Sequence, residues 1–134
     1  MNKQHEQALL FLRKARSDEA LLDEVWDSEQ VPDDVVGFHC QQAAEKLLKA
    51  LLSDCGAEFP RTHSLRTLMD LLEDAGRPLP ADCADVDTLT PFGTMFRYED
   101  IPSPTTLDRG AARRMLQLLR THAEASIAGG AELD

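Results

Sequence analysis

Residues 33–64, DDVVGFHCQQAAEKLLKALLSDCGAEFPRTHS, decide the fold. Set at about 100° per residue, they divide into two halves, the mark of an amphipathic helix. Val36, Cys40, Ala43, Ala44, Leu47, Leu48, Ala50 and Leu51 fall on one half. Small residues at Gly37, Cys40, Ala43 and Ala44 let a neighbouring helix approach closely, because side-chain size at the contact sets the distance between helices. His39, Gln42, Lys46 and Lys49 follow at i, i+3, i+7 and i+10 along one edge of that half, a ladder of hydrogen-bond donors. Gly56 stands where a left-handed C-cap is expected. The loop PRTHS then supplies Arg61 and His63 just ahead of the next helix.

Outward from this stretch, the chain reads as helices throughout. The first is predicted over 2–26, with Ala8, Leu9, Leu12, Ala15, Leu21, Leu22 and Val25 on its apolar face and Trp26 anchoring its end. Ser17-Asp18-Glu19 marks either a bend or a solvated turn of that helix. The polar turn 27–32 ends on Pro32 and is short, which makes the first two helices antiparallel neighbours. The third helix spans 64–75, with Thr62 or Ser64 as its N-cap and Gly76 as its stop. Residues 82–89 form at most a short helix. Pro91 suits the first turn of another, which carries Phe92, Met95, Phe96, Arg97 and Tyr98. Ser103 as N-cap and Pro104 at the first position open the last helix. That helix runs through Leu107, Ala111, Met115, Leu118 and Leu119 to about Ile127, and Gly129-Gly130 ends it. No segment has strand periodicity. The expected fold is all-α: an up-and-down four-helix bundle with an extra short helix, one domain over 1–128 and a flexible tail over 129–134.

Composition narrows the function. A chain of 134 residues with 43% apolar and 28% charged residues is one globular domain. No apolar run is as long as a membrane span, and the N-terminus lacks the regions of a signal peptide, so a cytoplasmic protein is expected. Three cysteines without a C-x-x-C pattern argue against a disulfide framework and a structural zinc site; Cys40 reads as a small core residue. The net charge of −10 counts against general nucleic-acid coating but leaves room for a local basic pocket. His39, Gln42 and Lys46 border the small-residue face, where they suit a phosphate or an acidic partner; a solvated helix face is the plainer reading, and the better one for Lys49. Arg61 and His63 either pair locally, Arg61 with Glu58, or add donors beside a helix N-terminus. Arg109, Arg113, Arg114 and Arg120 read as a solvated face paired with Asp108 and Glu124. No metal site, cofactor motif or Gly-rich phosphate loop is present.

FHCQQAAEKLLKALL, the PRTHSL loop and FRYED together resemble the HEPN domain, a family of small helical nucleotide-associated domains, over roughly the whole chain. The resemblance implies nucleotide or RNA bound by the bundle, a role beside a minimal nucleotidyltransferase, and a homodimer. Val35 and Phe38 on the polar half of the second helix add apolar surface for such pairing. The binding residues it points to are His39, Gln42, Lys46, Arg61, His63, Arg97 and Tyr98. HEPN relatives that cut RNA carry an arginine, four to six residues and then a histidine. Here the corresponding positions after Arg97 are Pro102, Ser103 and Pro104; Arg114 and His122 have seven residues between them, Arg120 and His122 one. Metal-free RNA cleavage needs a positioned acid and base. The expectation is therefore a non-catalytic domain without catalytic residues. The alternatives are a ribonuclease toxin of a toxin–antitoxin pair with an atypical active site, and a dimeric interaction module without a small ligand.

Overall fold

The computed structural model describes residues 3–93 and 106–132, with side chains as far as 128. Four α-helices are present: α1 (Lys3–Val25), α2 (Asp33–Asp54), α3 (Leu65–Asp74) and α4 (Arg109–Glu132). Two 3-10 segments, Ala81–Cys83 and Val86–Phe92, lie between α3 and α4. No strand occurs among the described residues, so the chain has the all-α fold its periodicity predicts. The expected helix carrying Met95, Phe96, Arg97 and Tyr98 falls outside the described residues.

α2 is the centre. α1, α3, α4 and the second 3-10 segment all pack on it. Its predicted apolar face is buried in full, from Val36 to Leu51, and Leu52 joins it. α1 runs antiparallel to α2: His5, at its start, lies 3.4 Å from Asp54 at the end of α2, while Asp18 lies beside His39. Both expected helix stops hold, with Gly56 at φ 75° and Gly76 at φ 78° closing the ends of α2 and α3. Ser64 caps α3, its hydroxyl accepting from the Thr67 N–H at 3.2 Å, and Thr62 in turn accepts from the Ser64 N–H. Trp26 and Cys40 are buried as expected; burial pushes the Cys40 thiol up to about 12, so it stays a neutral core group.

At Gly37 the small-residue face meets an aromatic side chain. A Cβ added at Gly37 would lie 2.3 Å from Phe92 Cδ1, so the ring rests directly on the glycine backbone. Gly93 sits next to it, close against the buried Gln41 amide. These two contacts seat the end of the 3-10 segment on the first half of α2.

The structure corrects several sequence expectations. Ser17-Asp18-Glu19 is neither a bend nor a solvated turn: α1 is continuous there, and its carboxylates reach α2 and α4. Leu21 is exposed, and α1 buries Ala8, Ala15 and Leu22. α4 starts at Arg109, with Asp108 as its cap: Asp108 Oδ1 accepts from the Ala111 N–H at 2.9 Å; the expected start at Ser103 and Pro104 lies outside the described residues. The buried face of α4 is Ala112, Leu116, Leu119, Ala123 and Ile127; of the expected residues Leu119 and Ile127 are buried, Leu107 and Met115 pack partly buried against the core, and Leu118 is exposed. The helix also continues through Gly129-Gly130 to Glu132.

Arg109 and Arg120 are not a solvated face either. Arg109 donates to Asp33 Oδ1 at 2.9 Å and to the carbonyls of Val25, Trp26, Ser28 and Val31. One guanidinium thus gathers the carbonyls of the α1–α2 turn and fixes α4 against the N-terminus of α2. Asp33 also accepts from the Leu107 N–H, which positions the approach to α4. Arg120 forms a two-point pair with Glu19, and its expected partner Glu124 lies further off at 3.8 Å. Burial raises the Glu19 pKa despite the arginine, which marks the pair as withdrawn from solvent.

Three substitutions test this packing. Alanine normally stabilises a helix over glycine by roughly 1 kcal/mol. Gly37→Ala should instead destabilise by about 1–3 kcal/mol, the cost of overpacking, and Phe92→Leu should recover part of that loss in a double-mutant cycle by denaturant melting. Arg109→Leu removes the ion pair to Asp33 and the donors to the turn carbonyls and should cost roughly 3 kcal/mol. Ser53 is buried, and its hydroxyl has no hydrogen-bond partner. Ser53→Ala should therefore leave the melting temperature unchanged or raise it.

Candidate functional site

The donor ladder on α2 meets α1 at a single carboxylate. Asp18 Oδ1 lies 3.0 Å from His39 Nδ1, and Asp18 Oδ2 accepts from Lys46 Nζ at 2.5 Å. Two side chains seven residues apart on one helix face thus share one acid across the seam. His39 also meets the Phe38 ring edge-on, at 5.3 Å between centroids. The side chains of His39 and Lys46 are 24% and 25% exposed, while that of Asp18 is 12% exposed. The acid is thus turned inward and the two nitrogen-bearing groups keep an outer edge.

A second network lies one residue further round the helix. Gln41 is fully buried and donates to the His63 carbonyl at 2.9 Å and to Glu45 Oε1 at 3.1 Å. Glu45, also buried, pairs through Oε1 with His63 Nδ1 at 2.8 Å and through Oε2 with Lys49 at 3.0 Å. Lys49 in turn lies 6.0 Å over the Phe59 ring. These bonds hold the PRTHS loop against α2. Gln42 joins this second network by donating to Gln41 Oε1 at 2.8 Å.

The predicted residues therefore fall into groups. His39 and Lys46 meet at Asp18, and Gln42 and His63 belong to the Gln41–Glu45 network. Arg61 is exposed and has no ion pair among the described residues, so its expected bond to Glu58 is not formed. Lys49, read as solvated, is part of the buried network. Arg97 and Tyr98 lie outside the described residues. His122, the histidine with the wrong spacing from Arg114 and Arg120, is partly buried on α4; burial and the nearby Arg77 charge lower its pKa.

Sequence reasoning missed Asp18, Gln41 and Glu45. Glu45 had a readable signal, since a glutamate four residues before Lys49 is a favoured helical pair. Gln41 had a fainter one, a long polar side chain next to Gly37 and Ala44 on the packing side. Asp18 had none, because its partners are 21 and 28 residues away in sequence.

Burial raises the Glu45 pKa, but the hydrogen bonds from His63, Lys49 and Gln41 outweigh it, and the net shift is downward from 4.5. A carboxylate whose folded pKa is depressed stabilises the fold above its unfolded value and loses that contribution as pH falls through the folded value. Thermal melts on either side of pH 4.5 should show stability falling with acid. Glu45→Gln should be less stable at neutral pH and flatter across that window.

No curated protein and no solved structure matches the chain. The family model of the HEPN domain matches residues 6–124, which takes in every described element from α1 to most of α4. With an all-α bundle centred on the helix that carries the donor ladder, the chain belongs to the HEPN domain family.

Proposed function

We propose that this HEPN domain is a non-catalytic binding module. It holds a phosphate of a nucleotide or RNA along the outer edge of α2, works beside a minimal nucleotidyltransferase, and pairs with a second copy of itself. The observation that carries the reading is the Asp18–His39–Lys46 arrangement. A lysine ammonium has three donors and an imidazole has two ring nitrogens. Asp18 accepts one bond from Lys46 and occupies Nδ1 of His39, which leaves further donors on Lys46 beside the second ring nitrogen of His39 at a partly exposed edge. Arg61 and His63, both exposed at the start of α3, are offered as further donors for the same ligand.

The absence of a histidine four to six residues after Arg97 supports a binding role over RNA cleavage. Val35 and Phe38 are only partly buried on α2 and support self-association through that helix. The acidic balance of the chain fits a single anion at one prepared edge better than coating of a polyanion.

Calorimetry with AMP, ATP and a short RNA tests the reading. The protein should bind at least one of them, and Lys46→Ala should weaken binding about tenfold, the loss of one charge-assisted bond. If none binds and Lys46→Ala only lowers the melting temperature, the triad is a structural tie and the proposal fails. RNA cleavage abolished by Arg97→Ala would replace it with the ribonuclease reading.

A further inference from the structure

We propose that the groove between α1 and α4 is a separate binding site for a small organic anion, one carboxylate or phosphate on an apolar or aromatic body. This does not rest on the function proposed above, which concerns the edge of α2.

The groove arises from the packing. α1 and α4 both lie on α2 and touch each other only lightly, so a channel remains between them. It has two lobes. The first, about 220 Å³, has Leu9, Leu12 and Leu47 in its wall, with Arg13 at its rim. The second, about 240 Å³, is walled by Trp26 and Leu116, with Arg113 beside them. Arg16 and Arg120 line both lobes and form the waist between them. Four arginines thus surround one channel in a chain whose net charge is −10.

Their commitments differ. Arg120 is locked by its two-point pair with Glu19, which fixes the guanidinium at the waist. Arg16 is 65% exposed, and its one ion pair among the described residues is with Glu124 at 3.8 Å, too long for a hydrogen bond. Glu124 stands at the same 3.8 Å from Arg120 and is a loose counter-ion to both. Arg13 and Arg113 have no ion pair among the described residues. Guanidinium groups beside an apolar wall bind an anion more strongly than they would in open water, because the wall lowers the local dielectric.

These features specify the ligand. An anionic head fits the waist, where it replaces Glu124 as the partner of Arg16 and gains a planar, two-point donor. The leucine lobe takes the body, and its size suits one ring. An extended polyanion does not fit, because Glu19, Asp23 and Glu124 border the channel and would repel further charges.

Methyl NMR titration of the whole chain is the test, with phenyl phosphate, 3-phenylpropionate and inorganic phosphate as probes. At least one aryl anion should shift the methyl signals of Leu9, Leu12 and Leu47 and bind more tightly than inorganic phosphate. Response to phenyl phosphate alone assigns a phosphate ester, to 3-phenylpropionate alone a carboxylate, and to both the shared class. Arg16→Gln should weaken binding about tenfold, and Glu124→Gln should strengthen it. Arg114→Gln removes an exposed arginine outside the channel and should bind as wild type does. Silent leucine methyls, shifts confined to the His39 edge of α2, equal binding of inorganic phosphate, or equal weakening by Arg16→Gln and Arg114→Gln would each overturn the proposal.

Discussion

A polar group taken out of water must find a partner, and α2 puts that constraint at the centre of this protein. Because three helices and a 3-10 segment pack on it, α2 buries Gln41, Glu45 and Ser53 along with its apolar face. An uncompensated buried amide or carboxylate costs several kcal/mol on the scale of a small domain's whole stability, roughly 5–15 kcal/mol. Gln41 and Glu45 meet this by binding each other, the PRTHS loop and Lys49. The loop is thereby tied to the helix, and α3 starts where the tie ends. Only the Ser53 hydroxyl among the buried side chains of the described residues escapes the rule.

The same constraint explains what was legible in the sequence. The buried half of α2 followed from periodicity because apolar burial repeats with the helix itself. Gly56, Gly76 and Ser64 were legible because caps act through neighbours two or three residues away. The start of α4 was not. Asp108 is one acceptable cap among several locally, and what holds it there comes from far along the chain: Asp33 holds the Leu107 N–H and Arg109. The face of α4 that these contacts turn inward takes in Leu119 and Ile127 and leaves Leu118 in solvent. Asp18 is the sharpest case. Its role depends on the register of α1 against α2, which no local pattern encodes.

Arginine placement shows a division of labour in an acidic chain. Arg109 and Arg120 are used as ties, each reaching a carboxylate on a different helix and holding α4 in place. The planar guanidinium suits this, because it supplies several donors in a fixed fork and so can satisfy a carboxylate and backbone carbonyls together. Glu19 and Asp18 are adjacent on α1 yet lean to different helices, one to Arg120 of α4 and the other to His39 and Lys46 of α2. α1 is therefore pinned by ion pairs on two sides, with its apolar residues between them.

That pinning bears on how the edge of α2 could hold a ligand. Lys46 is not a free cation waiting for a partner, since Asp18 already pairs with it and with the His39 ring. Pairing of this kind lowers the field that an incoming phosphate feels, but it also removes the entropy cost of ordering a lysine side chain, about 0.5–1.5 kcal/mol on binding. A phosphate at this edge would share Lys46 with Asp18 and need not displace it, because the acid is turned inward. Such a site favours geometric discrimination over raw attraction: the ligand must meet the remaining Lys46 donors and the outer ring nitrogen of His39 at once. In a protein with net charge −10, that is the kind of anion recognition the overall field permits, short in range and set by fixed hydrogen-bond directions.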